Sequence, residues 1–328
     1  MKKIAVIFTG GTISMKVDPR LAAAIPALSN EQIMSMVTNI DRIAETEIVD
    51  FSHIPGPHMT PEKLMALSNL VKKMLSRPDI HGAVITHGTD TLEETAFLLD
   101  LNVITPKPVV MVAAMRNSSE LGYDGPSNIA AAVATAASDR ARNKGCLVVM
   151  NNEVNAASEV TKSHTLSLDT FKSMEFGPLG IIDNDEVIFY REMTRHEHID
   201  VDHLEKRVGL VKTTLGMDRD LIDFMIDSGY QGIVLEALGR GNVPPAMLPG
   251  IERALSLGIP LVLVSRCPMG RVLGTYGYEG GGKNLKDRGV IFGGNLNGQK
   301  ARIKLMLALA KTRDPQALKK IFEIHDYQ

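Results

Sequence analysis

Long apolar runs are missing from this chain: none of its 328 residues lies in a stretch near the ~20 apolar residues of a transmembrane helix. Cysteine is scarce. Cys146 and Cys267 are the only two and lie far apart in sequence, which argues against a disulfide framework and a cysteine-based metal site. Both are expected as buried free thiols. Excess charge of one sign is also missing, with 36 Lys and Arg against 38 Asp and Glu, a net charge of −2. Neither nucleic acid nor an anionic membrane is therefore an expected partner. Behind Met1-Lys2-Lys3 the apolar stretch is only Ile4–Phe8, short of the about 7–15 residues in the core of a secretory leader. A cytoplasmic protein is expected, with a processed, exported chain as the alternative. No internal repeats or low-complexity tracts are visible.

The chain does hold enough apolar residues for real cores, 44% hydrophobic against 23% charged. Its length suggests two domains at roughly 150 residues each. Strand-like runs occur at 4–8, 46–51, 82–87, 108–114 and 146–150. Helix signals lie between them. Ser29–Gln32 and Thr91–Glu94 both fit the capping box, and Thr60-Pro61 places a cap residue before proline. Gly125–Asn143 is Ala-rich. This alternation predicts βαβ units and a parallel sheet. The segment 192–207 breaks the pattern: it is polar, and it holds His196, His198 and His203. It reads as a solvated linker rather than a metal site. Alternation then resumes. Leu221, Ile222, Met225 and Ile226 share one helical face that stops at Gly229. Gly298–Leu309 and Asp314–His325 read as two final helices. The expected fold is α/β: a larger N-terminal parallel-sheet domain, flavodoxin-like or Rossmann-like, over 1–191, and a smaller α/β domain over 208–328.

Ligands of open parallel sheets bind outside the carboxyl ends of the strands. Three predicted strands end in polar or glycine-rich chemistry: "TGGTIS" (9–14), "THGTDTLEE" (86–94) and "AAMRNSS" (113–119). The glycines before Thr12 raise a choice. They cradle a phosphate, or they let a substrate carbonyl approach the hydroxyl. The lysine of a Walker A loop and the Gly-x-Gly-x-x-Gly fingerprint are both absent after the first strand, which disfavours nucleotide. Hydroxyl attack on an acyl carbon needs an activated oxygen, a base and amides for the oxyanion. Thr12 offers the oxygen, Gly11 an unobstructed amide, and Thr89 and Asp90 sit on the neighbouring exit. In "EVTKSHTLSLDTFKS" (159–173), Lys162 is either a proton relay or an ordinary surface lysine.

These stretches, with "VVMVAAMR", "FGPLG", "VSRCPMGRV" and "NLNGQKAR", resemble the bacterial-type L-asparaginase family over nearly the whole chain. The resemblance implies an amidohydrolase that releases ammonia and L-aspartate from L-asparagine, with minor glutaminase activity. By it, Thr12 is the nucleophile that forms the acyl-enzyme, and Thr89 and Lys162 form a second hydroxyl–ammonium relay. Asp90 holds the substrate α-ammonium. Gly11, Gly88 and the backbone at Ala114 face the substrate. No metal or organic cofactor is implied. The family builds homodimers, commonly paired into tetramers, with sites shared between chains. Asn242 in "GRGN" and Glu279 in "TYGYEGGG" match contributions from the second chain.

Two departures from the family pattern stand out. The family's Ser-Gln pair, which grips the substrate carboxylate, is replaced by Gly56-Pro57, followed by His58. The lid from about Ser14 to Ser29 has no tyrosine, where the family often places one against the nucleophile. Tyr278, or less readily Tyr276, is the candidate substitute phenol; the alternative is that both rings only pack their loop. The rival readings are an amino-acid-binding module and the amidotransferase subunit that works on misacylated tRNA. The subunit usually carries an extra N-terminal domain, which is not seen in this sequence.

Overall fold

The opening apolar run forms β1 (Lys3–Gly10), buried along its length after Lys3. The structure, a computed structural model, describes residues 1–193 and 197–323. Its contacts divide the chain into two units, Met1–Asp200 and Val201–Gln328.

In the first unit, β1 leads through a 3-10 turn (Thr12–Ser14) into an antiparallel hairpin, β2 (Met15–Asp18) and β3 (Ala23–Pro26). Short helices α1 (Asn30–Ser35) and α2 (Ile40–Ile43) precede β4 (Glu45–Ile54). Then follow α3 (Pro61–Ser76), β5 (Ile80–Thr86), α4 (Leu92–Asn102), β6 (Val109–Val112), α5 (Gly125–Ala137) and β7 (Cys146–Met150). The five strands β4-β1-β5-β6-β7 lie side by side in that order, all parallel. That is a doubly wound order in which the chain steps from β1 to β4 on one side and then to β5 on the other. Helix α5 packs across β5, β6 and β7, α3 on β5 and α4 on β7.

The sheet is not parallel throughout, as the sequence suggested, but mixed. Beyond β7 it continues antiparallel through β8 (Glu153–Ala156), β11 (Gly180–Asp183) and β12 (Glu186–Phe189). Between β8 and β11, a small ladder joins β9 (Thr161–Lys162) to β10 (Phe171–Lys172). Two tight hairpins cause the reversal. Asn151-Asn152 (φ 49°, 61°) and Asn184-Asp185 (φ 49°, 65°) are two-residue loops with both φ positive, the conformation that suits right-twisted hairpins and that Asn and Asp tolerate.

The second unit is a four-stranded parallel sheet, β13 (Val208–Lys212), β14 (Gly232–Ala237), β15 (Leu261–Ser265) and β16 (Ile291–Phe292), adjacent in that order. Its helices are α6 (Asp220–Asp227), α7 (Leu248–Ser256), α8 (Gly282–Asp287), α9 (Gly298–Lys311) and α10 (Pro315–Phe322). Ile222, Ile226, Leu235, Ile251, Leu263 and Leu285 are among its core.

Local expectations fare unevenly. Ser29 and Gln32 form the reciprocal capping box, and Thr60 caps α3 from before Pro61. Gly229 ends α6 at φ 79°. Leu221, however, is half exposed, because only Ile222, Met225 and Ile226 turn to the core. Cys146 is buried, and burial raises its thiol pKa; Cys267 is exposed, contrary to expectation, since it sits in the open stretch after β15. His196 and His325 lie outside the described residues.

Candidate active site

The carboxyl ends of β4, β1, β5 and β6 share one rim, because these strands run parallel. Phe8 pairs with Thr86, so Thr12 and Thr89 leave adjacent strands a few residues beyond the same level of the sheet. This is the point where the strand order reverses. Thr9 strengthens the seam: its hydroxyl donates to Thr86 O at 2.7 Å.

The glycines ahead of Thr12 answer to backbone packing. Gly10 (φ 108°) and Gly11 (φ 86°) are both left-handed, which favours glycine. A Cβ on Gly10 would come within 2.5 Å of Ile54 N and O, and one on Gly11 within 2.5 Å of Gly88 N. A Cβ on Gly88 would in turn meet Gly56 N at 2.5 Å. Three strand exits therefore touch backbone to backbone at Gly11, Gly88 and Gly56. The Gly11 amide, expected to be open, donates to Ile54 O at 3.0 Å. Gly11 thus contributes room rather than a donor.

Thr12 begins the 3-10 turn and is half-buried, with fully buried Ile13 anchoring the turn beneath it. Ser14 closes the turn, its amide and hydroxyl donating to Gly11 O at 3.0 and 2.9 Å. Across the seam, Thr89 is buried and Asp90 exposed. Lys162, on β9, donates from Nζ to Thr89 Oγ1 at 2.9 Å and to Asp90 Oδ1 at 2.7 Å. Its side chain is only 18% exposed, so the solvated-lysine reading does not hold. The geometry joins three of the sequence-predicted residues from two distant segments.

The other predicted residues fall into three groups. After β4, Gly56–His58 is a 3-10 turn with Gly56 buried and Pro57 and His58 exposed. Thr91, expected to cap α4, instead donates its hydroxyl to Gly56 O at 2.9 Å and ties this turn to the β5 exit. Ala114, buried after β6, sits between fixed neighbours: Asn128 Nδ2 donates to Ala113 O at 3.0 Å, while Asp124 accepts from the amides of Met115 (3.0 Å) and Arg116 (2.9 Å). Asn242, Glu279, Tyr276 and Tyr278 belong to the second unit. Asn242 Oδ1 accepts from Gly282 N at 3.2 Å and steadies the loop before α8. Glu279 is exposed, and the two tyrosine rings lie 5.6 Å apart, also exposed.

Sequence reasoning gave no role to His87, Asp124, Asn128 or Tyr123. His87 is fully buried, and burial lowers its pKa to about 4, so the ring is neutral at pH 7. A carbonyl only accepts, so Nδ1–H donates to Gly88 O (2.8 Å), and Nε2 accepts from the Thr95 hydroxyl (3.0 Å). The ring braces the turn that carries Thr89. Asp124 stands at the N-terminal cap position of α5, but its carboxylate makes no cap bond and turns back to the β6 exit. The Tyr123 phenol donates to Ile13 O at 2.5 Å; no local pattern announces a contact across 110 residues.

Residues 3–195 match the family model described as Asparaginase, N-terminal, and residues 207–322 the one described as Glutaminase/Asparaginase C-terminal domain. The chain is 36% identical to an L-asparaginase of Bacillus licheniformis over 313 residues, 95% of this chain and 97% of that one. It is 33% identical to a glutamyl-tRNA(Gln) amidotransferase subunit of Pyrococcus abyssi, over 98% of this chain but 75% of that one. A crystal structure of a probable cytoplasmic L-asparaginase from Campylobacter jejuni is similar at a TM-score of 0.88 and 32% identity, covering 98% of this chain and 99% of that one. Both units are matched, and the chain belongs to the L-asparaginase family of enzymes.

Proposed function

We propose that this enzyme hydrolyses the side-chain amide of L-asparagine to ammonia and L-aspartate through a threonine acyl-enzyme, with minor activity on glutamine. The observation that carries the reading is the contact of Lys162 Nζ with Thr89 Oγ1 and Asp90 Oδ1 on the strand exit that abuts Gly11-Thr12. An ammonium that donates to Thr89 Oγ1 stabilises negative charge there, which makes the Thr89 hydroxyl readier to give up and take back a proton. Thr12 Oγ attacks the amide carbon and passes its proton to this relay. The departing nitrogen takes a proton and leaves as ammonia. Water, activated through the same pair, then cleaves the ester and restores Thr12. Asp90, exposed beside the relay, binds the α-ammonium of the substrate. The α-carboxylate falls to Gly56–His58, through backbone amides or His58, because no serine or glutamine stands there.

The chain acts as a homodimer or a dimer of dimers. Asn242 and Glu279 of one copy complete the site of another, and Tyr278, or else Tyr276, supplies a phenol. It works in the cytoplasm, in keeping with the Campylobacter jejuni relative. A role as an amidotransferase subunit is the second reading, favoured by the similar identity to the Pyrococcus abyssi protein. Ammonia release from L-asparagine, L-glutamine and D-asparagine tests both. One methylene is worth ~1–3 kcal/mol of discrimination, roughly 10–200-fold. Asparagine is expected to lead glutamine in kcat/KM by a factor in that range. Equal use of the two, or no release from free amides, contradicts the reading.

A further inference from the structure

The turn that carries Thr12 is anchored below by Ile13, but the hairpin after it is exposed, so contacts from a neighbouring segment add to its hold. In this hairpin of β2 and β3, Lys16, Val17, Pro19, Arg20 and Leu21 face solvent. Ile13 is buried beneath the turn, and Ser14 O accepts from the amides of Ala27 (3.0 Å) and Leu28 (3.1 Å); further contacts come from the connection between β6 and α5. Tyr123 Oη donates to Ile13 O at 2.5 Å. Ser118 donates to Met15 O from both its amide (3.1 Å) and its hydroxyl (2.9 Å). Val17 N donates to Ser119 Oγ at 3.0 Å. Of these, the phenol reaches furthest toward the nucleophile, since Ile13 is the next residue after Thr12.

The phenol has a built seat. A Cβ on Gly125 would lie 2.4 Å from Tyr123 Oη and 2.5 Å from Cε2 and Cζ of its ring. Gly125 opens α5 and its φ is not positive, so the backbone there does not demand glycine. The missing side chain is what admits the ring. Burial, and next the charge of Asp124, raise the phenol pKa. Tyr123 therefore stays protonated and remains a donor at neutral pH.

We propose that Tyr123 is a positioning residue for Thr12: its phenol fixes the Ile13 carbonyl, and through it the turn that aims the nucleophilic hydroxyl. The lid has no tyrosine, and this side chain, carried on the connection between β6 and α5, supplies a brace of its own. The proposal rests on the reading of Thr12 as nucleophile. A nucleophile displaced by about 1 Å can lose of the order of 10²-fold in rate, whereas binding of the substrate at Asp90 is untouched. Tyr123→Phe keeps the ring in its seat and removes only the donor.

The test measures three things on Tyr123→Phe: steady-state kinetics with L-asparagine, thermal midpoint, and amide hydrogen exchange over residues 12–17. The expected result is a kcat lower by tenfold to a hundredfold, KM within twofold, an unchanged midpoint and faster exchange in that peptide. Ser119→Ala serves as control, with faster exchange around β2 but kcat retained. Unchanged kcat in Tyr123→Phe overturns the proposal. So does a rise in KM alone, or a fall in kcat with unchanged exchange over 12–17. If the wild-type protein releases no ammonia from asparagine, the proposed function fails instead, and exchange over 12–17 alone then decides whether the phenol holds the turn.

Discussion

In the proposed mechanism the chemistry rests on single side chains, Thr89 and Lys162 among them. A general acid–base group is worth about 10²–10⁴-fold in rate. Thr89→Val and Lys162→Met should each lower kcat for ammonia release by a factor in that range; losses below tenfold in both would mean that the relay is elsewhere. His87 acts through stability. Its pKa lies near 4 in the folded chain, against 6.5 for an unperturbed ring. Between those values the unfolded chain binds a proton that the folded one refuses, so the contribution is fully present above about pH 6.5 and is lost as the pH falls toward 4. The size is about 3 kcal/mol. Chemical unfolding of wild type and His87→Gln across pH 4–7 should show a stability difference that shifts by that order in the wild type's favour as pH rises, then levels off. A difference independent of pH would contradict the buried, neutral ring. The threonines stood out by residue type at strand exits, Lys162 was left open between relay and surface lysine until the family resemblance singled it out, and His87 was given no role. Its role depends on Thr95, two turns of chain away on α4, and on the depth of burial.

At the level of elements, the rim depends on backbones that touch. The Cβ of Gly88→Ala would meet Gly56 N at 2.5 Å and Gly56 Cα at 2.7 Å, and a backbone cannot swing aside as a side chain can. Overpacking of this kind costs about 1–3 kcal/mol. The exit that carries Thr89 would also have to move. Gly88→Ala should therefore lower the thermal midpoint and kcat together, and an alanine variant with wild-type values would show that the three exits are not in contact. The parallel core was readable because each strand is a short apolar run flanked by helix signals. The antiparallel extension was not, since β8, β11 and β12 are four-residue strands whose hairpins are marked only by Asn-Asn and Asn-Asp. Thr91 misled for a related reason. Its sequence fits a capping box, but Gly56 O, brought close by the fold, competes for its hydroxyl.

Each of the two units is built on one large sheet. The first unit carries Thr12, Thr89, Asp90 and Lys162, drawn from three segments spread over about half the chain. The second carries Asn242, Glu279 and the tyrosine pair, whose proposed contribution is made to another copy. Their motif was visible in the sequence, but the role proposed for each would depend on an assembly rather than on a local pattern. The central claim is that Thr12 carries the acyl group, and the rate of ammonia release from L-asparagine by purified Thr12→Ala, relative to wild type, tests it most directly. Loss of a nucleophile that works within a relay removes essentially all of the turnover that the relay supports. The account predicts a fall of about 10³-fold or more in kcat. A variant that keeps turnover within tenfold of wild type would contradict it.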